Sequence, residues 1–295
     1  MNTKTQIVHN FYCCPHCLSS LEKQNRDNVA LQCSRCGSQF PVRKGIPLLC
    51  NNHNFYYGEA TRKETLDLLR LLDECDQFGV AMRKWLELFS KDMSDYLMSY
   101  ILDEKRTSGK YVLDLTGQEK VLDLGSGWGG FSLNLADHVR EIHGIDLTFE
   151  RLLFSKYWSK HRHINNFHTC CCGDTLHLPF TDKYFDIAII NGVLEWIPMS
   201  QSGNPFQIQQ DYLKEVRRIL SDTGQVYLAI ENRFALSYFL GRPDDHSGLK
   251  YGSLLPRKIA DLYSKKIREC PYRTYTHSHR TVSYTHLTLP TKRIV

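Results

Sequence analysis

Apolar positions in the second half of the chain fall into short runs that alternate with stretches of helical pattern. Five runs predict β-strands, at residues 121–124, 142–145, 167–171, 185–190 and 225–230. Between the last two, apolar residues recur at spacings of three and four and indicate one face of a helix: Ile208, Tyr212, Val216 and Ile219. This alternation favours an α/β fold with a mostly parallel sheet covered on both faces.

The first half of the chain has a different pattern. Residues 1–50 hold short strand-like pieces between cysteines, and residues 51–54 are typical of a polar linker. In the helical stretch that follows, five apolar residues share one face: Leu86, Phe89, Met93, Tyr96 and Tyr100. We therefore predict four segments: a small module at 1–50, a linker with a helical lid at 51–110, the main α/β domain at 111–281 and a separate tail at 282–295.

Two close cysteine pairs predict a metal site in the N-terminal module. Cys14 and Cys17 form one C-x2-C pair, and Cys33 and Cys36 form the second after a gap of fifteen residues. Each pair presents two thiolates from a tight turn, and together they complete the tetrahedral S4 shell that Zn²⁺ prefers. A closed shell leaves no open position for chemistry, so the predicted zinc is structural.

Further motifs in residues 14–49 extend the zinc interpretation: C-P-x-C, C-x-x-C-G and G-I-P-L-L. The module resembles a family of small bacterial zinc-ribbon proteins, related to the ribbon subunit that activates several RNA- and protein-modifying methyltransferases. That resemblance implies a docking or stabilising role without catalytic residues. Two alternatives stay open: four buried structural cysteines without a metal, and a ligand set that uses Cys13 or His16.

A glycine-rich turn follows the first strand of the main domain, in the run V-L-D-L-G-S-G-W-G-G. Gly125, Gly127 and Gly129 allow the backbone to pass close under a ligand, where a side chain would collide. The same letters fit the dinucleotide motif G-x-G-x-x-G, which is weak without context. The turn alone therefore leaves S-adenosylmethionine (SAM) and a nicotinamide dinucleotide as alternatives.

Carboxylates at the ends of three successive strands favour SAM. Asp123 is positioned to meet the ammonium of a methionine moiety, and a pyrophosphate would be repelled there. Asp146 ends the second strand 21 residues after Gly125 and is positioned to hold both ribose hydroxyls. Asp174 follows the third strand and is positioned for the adenine amino group. Each aspartate taken alone is also explained as a cap of the next helix.

Residues 120–232 resemble class I SAM-dependent methyltransferases, on the motifs V-L-D-L-G-S-G-W-G, H-G-I-D, G-D-T-L-H-L-P-F and F-D-I-A-I-I-N-G-V-L-E-W-I. The resemblance implies a doubly wound, Rossmann-like sheet with strand order 3-2-1-4-5-7-6, of which we expect the last two strands to be missing here. It further implies that Asp146 binds ribose, Asp174 binds adenine and Asn191 lies beside the sulfonium. The methionine end of SAM would be lined by Asp123, Gly125, Ser126, Gly127 and Gly129.

Methyl transfer from a sulfonium is an in-line displacement, and the acceptor's proton often needs a base. We predict three catalytic residues beyond the fourth and fifth strands: Glu195, Glu231 and His246, the last as a base. A lone loop histidine is also explained as an exposed residue. The segments I-E-N-R, F-L-G-R-P-D-D-H-S-G and P-Y-R-T-Y-T resemble methyltransferases of bacterial surface-glycan biosynthesis. That resemblance favours a small-molecule, lipid or glycan acceptor.

Three other functions stay open: an RNA methyltransferase that docks nucleic acid through the ribbon, a non-catalytic SAM-binding partner protein, and an NAD-dependent oxidoreductase. A formal charge of +5 is small for nucleic-acid binding. No apolar run approaches the roughly 20 residues of a membrane span, and the first residues do not resemble a signal peptide. Eleven cysteines without a disulfide-like pattern suit a reducing compartment, so we expect a cytoplasmic protein.

The tail at 282–295 reads V-S-Y-T-H-L-T-L-P-T-K-R-I-V and resembles translated sequencing-adapter read-through. The alternative is a natural edge strand with a basic end. On the first interpretation the natural protein continues beyond about Thr281, and the tail plays no part in the fold prediction.

Overall fold

A computed structural model describes residues 11–23, 30–102, 104–175 and 177–278. Its central sheet has five strands, Lys120–Leu124 (β5), Glu141–Asp146 (β6), Phe167–Cys171 (β7), Phe185–Asn191 (β8) and Leu220–Ala229 (β9). Their order is β7-β6-β5-β8-β9, and β5, β6 and β7 pair in parallel. This order equals the first five positions of the predicted 3-2-1-4-5-7-6, which confirms the Rossmann-like α/β fold. No further strand joins the sheet within the described residues after β9.

The sheet interior follows the apolar runs of the sequence. Val121, Leu122 and Leu124 of β5 are fully buried, and so is Ile142 of β6. Strands covered on both faces lose the alternation of apolar and polar residues, which is why these runs are continuous. Two helices follow β5 and β6 in chain order, Gly130–Leu135 (α4) and Phe149–His161 (α5).

The N-terminal module forms a separate antiparallel sheet of four short strands, Leu21–Lys23 (β1), Ala30–Cys33 (β2), Gln39–Arg43 (β3) and Ile46–Pro47 (β4). The chain after β4 reaches the edge of the central sheet, where Leu48 makes a parallel bridge to Cys171 and Leu49 N–H donates to Cys171 O (2.8 Å). Backbone hydrogen bonds therefore join the ribbon to β7.

Three helices precede the central sheet: Arg62–Glu74 (α1), Phe78–Leu86 (α2) and Lys91–Leu102 (α3). They share one apolar core with α5, in which Leu68, Trp85 and Phe154 are fully buried. The Trp85 indole N–H donates to Glu64 O (2.8 Å), so burial leaves this polar group satisfied. The segment predicted as a lid thus packs as part of a core.

The predicted single helical face over residues 86–100 is interrupted in the structure. The helix α2 ends at Leu86 and α3 begins at Lys91. Ser90 explains the break, because its hydroxyl accepts from Met93 N–H (3.4 Å) in the manner of an N-cap, while Ser94 Oγ donates to Leu86 O (2.7 Å). The apolar spacing continues across the gap, so spacing alone could not reveal it.

The chain divides into two compact units. The first comprises residues 1–189 and 218–224, and the second comprises residues 190–217 and 225–295. Three helices lie wholly or mostly in the second unit: Pro205–Ile219 (α6), Leu236–Phe239 (α7) and Arg257–Arg268 (α8). Within the described part of the chain, no helix is both long and apolar enough to span a bilayer. The tail at 282–295 lies outside the described residues.

Candidate functional site

The glycine-rich turn lies in the first unit and connects β5 to α4. Gly125, Gly127 and Gly129 have φ values of 71°, 56° and 89°, which L-residues with a side chain rarely adopt. A Cβ atom on Gly129 would lie 2.6 Å from the Ser155 Cβ, and one on Gly127 would collide with the Arg151 guanidinium. Glycine is therefore required for the backbone conformation and for close packing against α5.

Asp146 joins the end of β6 to this turn. Its Oδ2 accepts from Gly127 N–H (3.0 Å), and its Oδ1 accepts from Thr148 N–H (2.7 Å). Ser126 N–H donates to Ile145 O (2.8 Å), which adds a second link between the turn and β6. Each carboxylate oxygen of Asp146 keeps a further lone pair, so the group can still accept from a diol.

Asp123 lies in the interior next to the turn. It is 2% exposed, and its Oδ2 accepts from Ser132 Oγ–H (2.6 Å). Burial raises the pKa of Asp123 to about 6, against the lowering effect of the Ser132 hydrogen bond. The Asp123 carboxylate thus forms a hydrogen bond with a residue of α4. Its predicted role toward a methionine ammonium stays a prediction.

Asp174, predicted for adenine, is anchored by the linker that follows the ribbon. Its two carboxylate oxygens accept from Asn51 N–H (2.9 Å) and Asn52 N–H (2.8 Å). Asn191, predicted beside the sulfonium, is the last residue of β8 and belongs to the second unit. The next residue, Gly192, donates its N–H to Ala229 O (2.8 Å), which joins the ends of β8 and β9.

A buried ion network beside the turn was missed by sequence reasoning. Glu59 accepts from the Trp128 indole N–H (2.5 Å) and lies 3.7 Å from the Arg151 guanidinium. Burial lowers the pKa of Arg151, but the Asp146 and Glu59 carboxylates outweigh that effect and raise it overall. Arg151 also donates to Tyr57 O (3.5 Å). The available sequence signal was Arg151 itself, a charged residue that directly precedes three apolar residues of α5.

The three predicted catalytic residues come together in the second unit. His246 Nε2 lies 3.4 Å from Glu195 Oε1, and His246 Nδ1 lies 3.5 Å from Glu231 Oε2. A third carboxylate, that of Asp244, lies 3.2 Å from Nδ1 and was not predicted. The imidazole and the Trp196 ring have centroids 4.8 Å apart.

The three carboxylates control the protonation of His246. Burial by itself lowers its pKa, but Asp244, Glu195 and Glu231 more than offset this and raise the pKa to about 10. A raised pKa favours the imidazolium form at neutral pH, and the role of His246 as a base stays a prediction. Burial raises the pKa of Glu231, against the lowering effect of His246. Glu231 remains 40% exposed, which leaves it the accessible carboxylate of the cluster.

The four predicted zinc ligands are gathered at one point of the ribbon. The Sγ atoms of Cys14, Cys17, Cys33 and Cys36 all lie within 4.8 Å of one another. Cys14 and Cys36 are 3.6 Å apart, and Cys17 and Cys33 are 3.4 Å apart. A tetrahedral ion with Zn–S bonds of about 2.3 Å needs sulfur atoms roughly 3.8 Å apart, so the set fits zinc. Cys13 is not part of this group.

The neighbours of the cysteines also fit a metal site. The backbone N–H of His16 donates to Cys14 Sγ (3.4 Å) and that of Cys36 donates to Cys33 Sγ (3.5 Å). Donation to sulfur stabilises the thiolate form that a metal requires. The His16 ring nitrogens lie instead within hydrogen-bond distance of Ser38 Oγ (3.1 Å) and Asn51 Oδ1 (3.2 Å).

Comparison with known proteins agrees with this geometry. Residues 115–245 match the family described as Methyltransferase domain. A ubiquinone biosynthesis O-methyltransferase from Glaesserella parasuis is 26% identical over 173 residues, which are 57% of this chain and 67% of that protein. An uncharacterized protein of Methanocaldococcus jannaschii is 31% identical over 116 residues, which are 39% of this chain and 42% of that protein. The chain thus spans less than half the length of this archaeal relative.

Among solved structures, the YcgJ protein from Bacillus subtilis overlaps with a TM-score of 0.40 at 18% identity, covering 59% of this chain and 62% of that chain. The assignment rests instead on the family match, the strand order and the glycine-rich turn. The chain therefore contains a class I SAM-dependent methyltransferase domain.

Proposed function

We propose that the protein transfers a methyl group from SAM to a small-molecule, lipid or glycan acceptor. The observation that carries the proposal is the Asp146 carboxylate, which holds the Gly127 N–H at the end of β6 and keeps lone pairs for a ligand. A carboxylate at this position suits the hydroxyl pair of a ribose. A pyrophosphate in the same place would meet repulsion from Asp123 and Asp146.

SAM supplies an electrophilic methyl group when bound. In our proposal Asp146 binds the ribose hydroxyls and Asp174 accepts from the adenine amino group. The turn around Gly127 gives the methionine part a backbone without obstructing side chains. Asn51 and Asn52 orient the Asp174 carboxylate through their N–H groups, so the linker after the ribbon takes part in forming the adenine end of the site.

Glu231 is the proposed base for an oxygen or nitrogen acceptor. Its raised pKa brings it closer to neutral pH, and its partial exposure leaves it accessible to a substrate. His246 and Glu195 are proposed as positioning residues, because the imidazolium lies between the two glutamates and fixes both carboxylates. A Glu231 oxygen would accept the proton of the acceptor's hydroxyl or amine.

Zn²⁺ is the proposed metal of the ribbon, held by Cys14, Cys17, Cys33 and Cys36 in a structural site. A small module has little apolar core, so metal binding would supply much of its folding free energy. Its edge-on connection to β7 supports a stabilising role within the same chain. A cytoplasmic location stays a prediction from the cysteine content.

Transfer of label from methyl-labelled SAM into fractionated cell extract tests the proposal. We expect label in a small-molecule, lipid or glycan fraction with the unaltered protein. We expect a loss of about 10²-fold or more with Glu231→Gln, since general bases contribute that much. The control Asp186→Asn changes a β8 carboxylate that accepts from Lys120 N–H (3.0 Å) at the start of β5, and it should keep activity. Label in RNA instead would support the nucleic-acid alternative, and label in no fraction would contradict an enzymatic function.

A further inference from the structure

A cavity of about 220 Å³ lies in the second unit and is lined by two arginines. Arg233 follows Glu231 and Asn232 directly after β9, and Arg257 is the first residue of α8. Aromatic rings form much of the remaining wall: Phe206, Phe234 and Tyr275. A mostly apolar cavity with a few polar groups is typical of a small-ligand site.

Among the described residues, neither arginine forms an ion pair with an Asp or Glu carboxylate. Within the part of the chain that the structure describes, Arg233 donates to two backbone carbonyls, of Ser253 (2.6 Å) and Leu255 (2.5 Å). Burial lowers the pKa of Arg257, and the charge of Arg233 lowers it further. Two cationic side chains thus line one cavity.

Two buried polar atoms of cavity-lining residues lack a hydrogen-bond partner among the described residues. The Nη1 atom of Arg257 and the Oγ1 atom of Thr276 are buried, and neither has a hydrogen-bond partner among the described residues. The Arg257 Nη2 atom donates to Thr276 O, so only part of the guanidinium is used. Buried donors are normally satisfied, and an unpaired one calls for an explanation such as a ligand.

Other arginines of the second unit show what a purely structural arginine looks like here. Arg273 donates through all three of its nitrogens, to carbonyls of Pro198 (2.9 Å), Gly203 (3.1 Å) and Gln201 (2.7 Å). Arg242 pairs with Asp245 at 3.0 Å. Among the described residues, Arg257 lacks the full set of acceptors that Arg273 has, and it lacks a counter-ion such as that of Arg242.

We propose that this cavity binds an oxyanion, a phosphate or a carboxylate, carried on a flat apolar body. The anion would neutralise Arg233 and Arg257 and accept from the free Arg257 Nη1 and the Thr276 hydroxyl. Phe206 and Phe234 are 44% and 46% exposed and would cover the apolar part of the ligand.

The cavity adjoins the His246 cluster through shared residues of the second unit. Tyr275, in the cavity wall, donates its N–H to Glu195 O (3.3 Å). The Tyr272 hydroxyl donates to Asp244 Oδ2 (2.6 Å), and the Tyr272 ring centroid lies 5.9 Å from the Arg257 guanidinium. This step rests on the proposed methyl transfer. If that transfer holds, the methyl acceptor is anionic. The two arginines bind its charge, and its nucleophile faces Glu231.

Calorimetric titration of the full chain with phenyl phosphate, benzoate, inorganic phosphate and benzyl alcohol tests the anion site. We expect one aromatic anion to bind at one per chain and at least about tenfold more tightly than neutral benzyl alcohol, with affinity that falls as salt rises. Tighter binding of phenyl phosphate would indicate that the site prefers a phosphate, and tighter binding of benzoate would indicate that it prefers a carboxylate. Inorganic phosphate should bind more weakly than phenyl phosphate if the rings contribute.

Two variants and a control locate the site. Arg257→Gln should weaken binding at least about tenfold, and Thr276→Val, which removes only the unpaired hydroxyl, should weaken it a few fold. Arg242→Gln should leave the affinity unchanged. If Arg257→Gln does not fold, the affinity of Thr276→Val and the preference of the unaltered protein for anions still test the proposed site. Equal binding of benzyl alcohol and both anions, or unchanged affinity in both cavity variants, would overturn the proposal. SAM binding, titrated separately, reports on the methyl-transfer proposal independently.

Discussion

The variant His246→Gln removes a cation that lies among Glu195, Glu231 and Asp244, at 3.4, 3.5 and 3.2 Å. The imidazole side chain is 3% exposed, so solvent does little to screen these contacts. Its pKa is raised from 6.5 to about 10 in the folded protein. At about 1.4 kcal/mol per unit, that difference bounds the stabilisation at about 5 kcal/mol. Because Glu231 is partly exposed, we expect about 2 to 4 kcal/mol.

The pH dependence follows from the direction of the shift. A raised pKa means that the folded state binds the His246 proton more tightly than the unfolded state does. The stabilisation is therefore complete below about pH 6.5 and is lost as the pH rises through about 10. Other groups titrate in the same range, so the informative quantity is the difference in unfolding free energy between the unaltered protein and the variant.

Urea unfolding followed by circular dichroism, at several pH values between about 6 and 10, measures that difference. We expect it to be largest near pH 6 and to shrink toward pH 10. His138→Gln, at an exposed position, serves as the matched control and should give a small, pH-independent difference. A His246→Gln difference that stays constant from pH 6 to pH 10 would refute the assignment of a protonated His246.

Three further predictions concern the first unit. Cys33→Ser should abolish binding of one zinc per chain and lower the thermal midpoint, measured by plasma mass spectrometry and calorimetry, whereas Cys13→Ser should keep the metal. Glu59→Gln leaves the buried Arg151 with one carboxylate fewer and should cost about 3 kcal/mol in urea unfolding; a cost below about 1 kcal/mol would contradict a tight ion network. Thr61→Ala removes the capping box of α1 and should cost about 1 kcal/mol by the same measurement, with no change in zinc content.

The elements that the sequence predicted well are those set by local pattern. The five strands appear because short, mostly apolar runs such as that of β5 suit a strand covered on both faces. The four cysteines are gathered because C-x2-C spacing fixes each pair within one turn. Both signals depend on neighbours in sequence, and neither needs knowledge of distant contacts.

Contacts between distant residues account for what was missed. Glu59 and Trp128 are 69 positions apart, and nothing in either local sequence links them. His246 appeared as a lone loop histidine, because its carboxylate partners Glu195 and Glu231 lie at the ends of other strands. The raised pKa of the ring depends on that convergence, so the local sequence around His246 could not anticipate it.

Calorimetric titration of SAM into the unaltered protein and into Asp146→Asn measures whether Asp146 binds this cofactor. We expect one SAM per chain, and an affinity about 10- to 100-fold weaker in the variant, since hydrogen bonds from ribose to a charged group contribute about 1.5–3 kcal/mol. NAD⁺ should give no binding heat. Heat with NAD⁺ and none with SAM, or equal SAM affinity in both proteins, would contradict the cofactor site described for Asp146 and the glycine-rich turn.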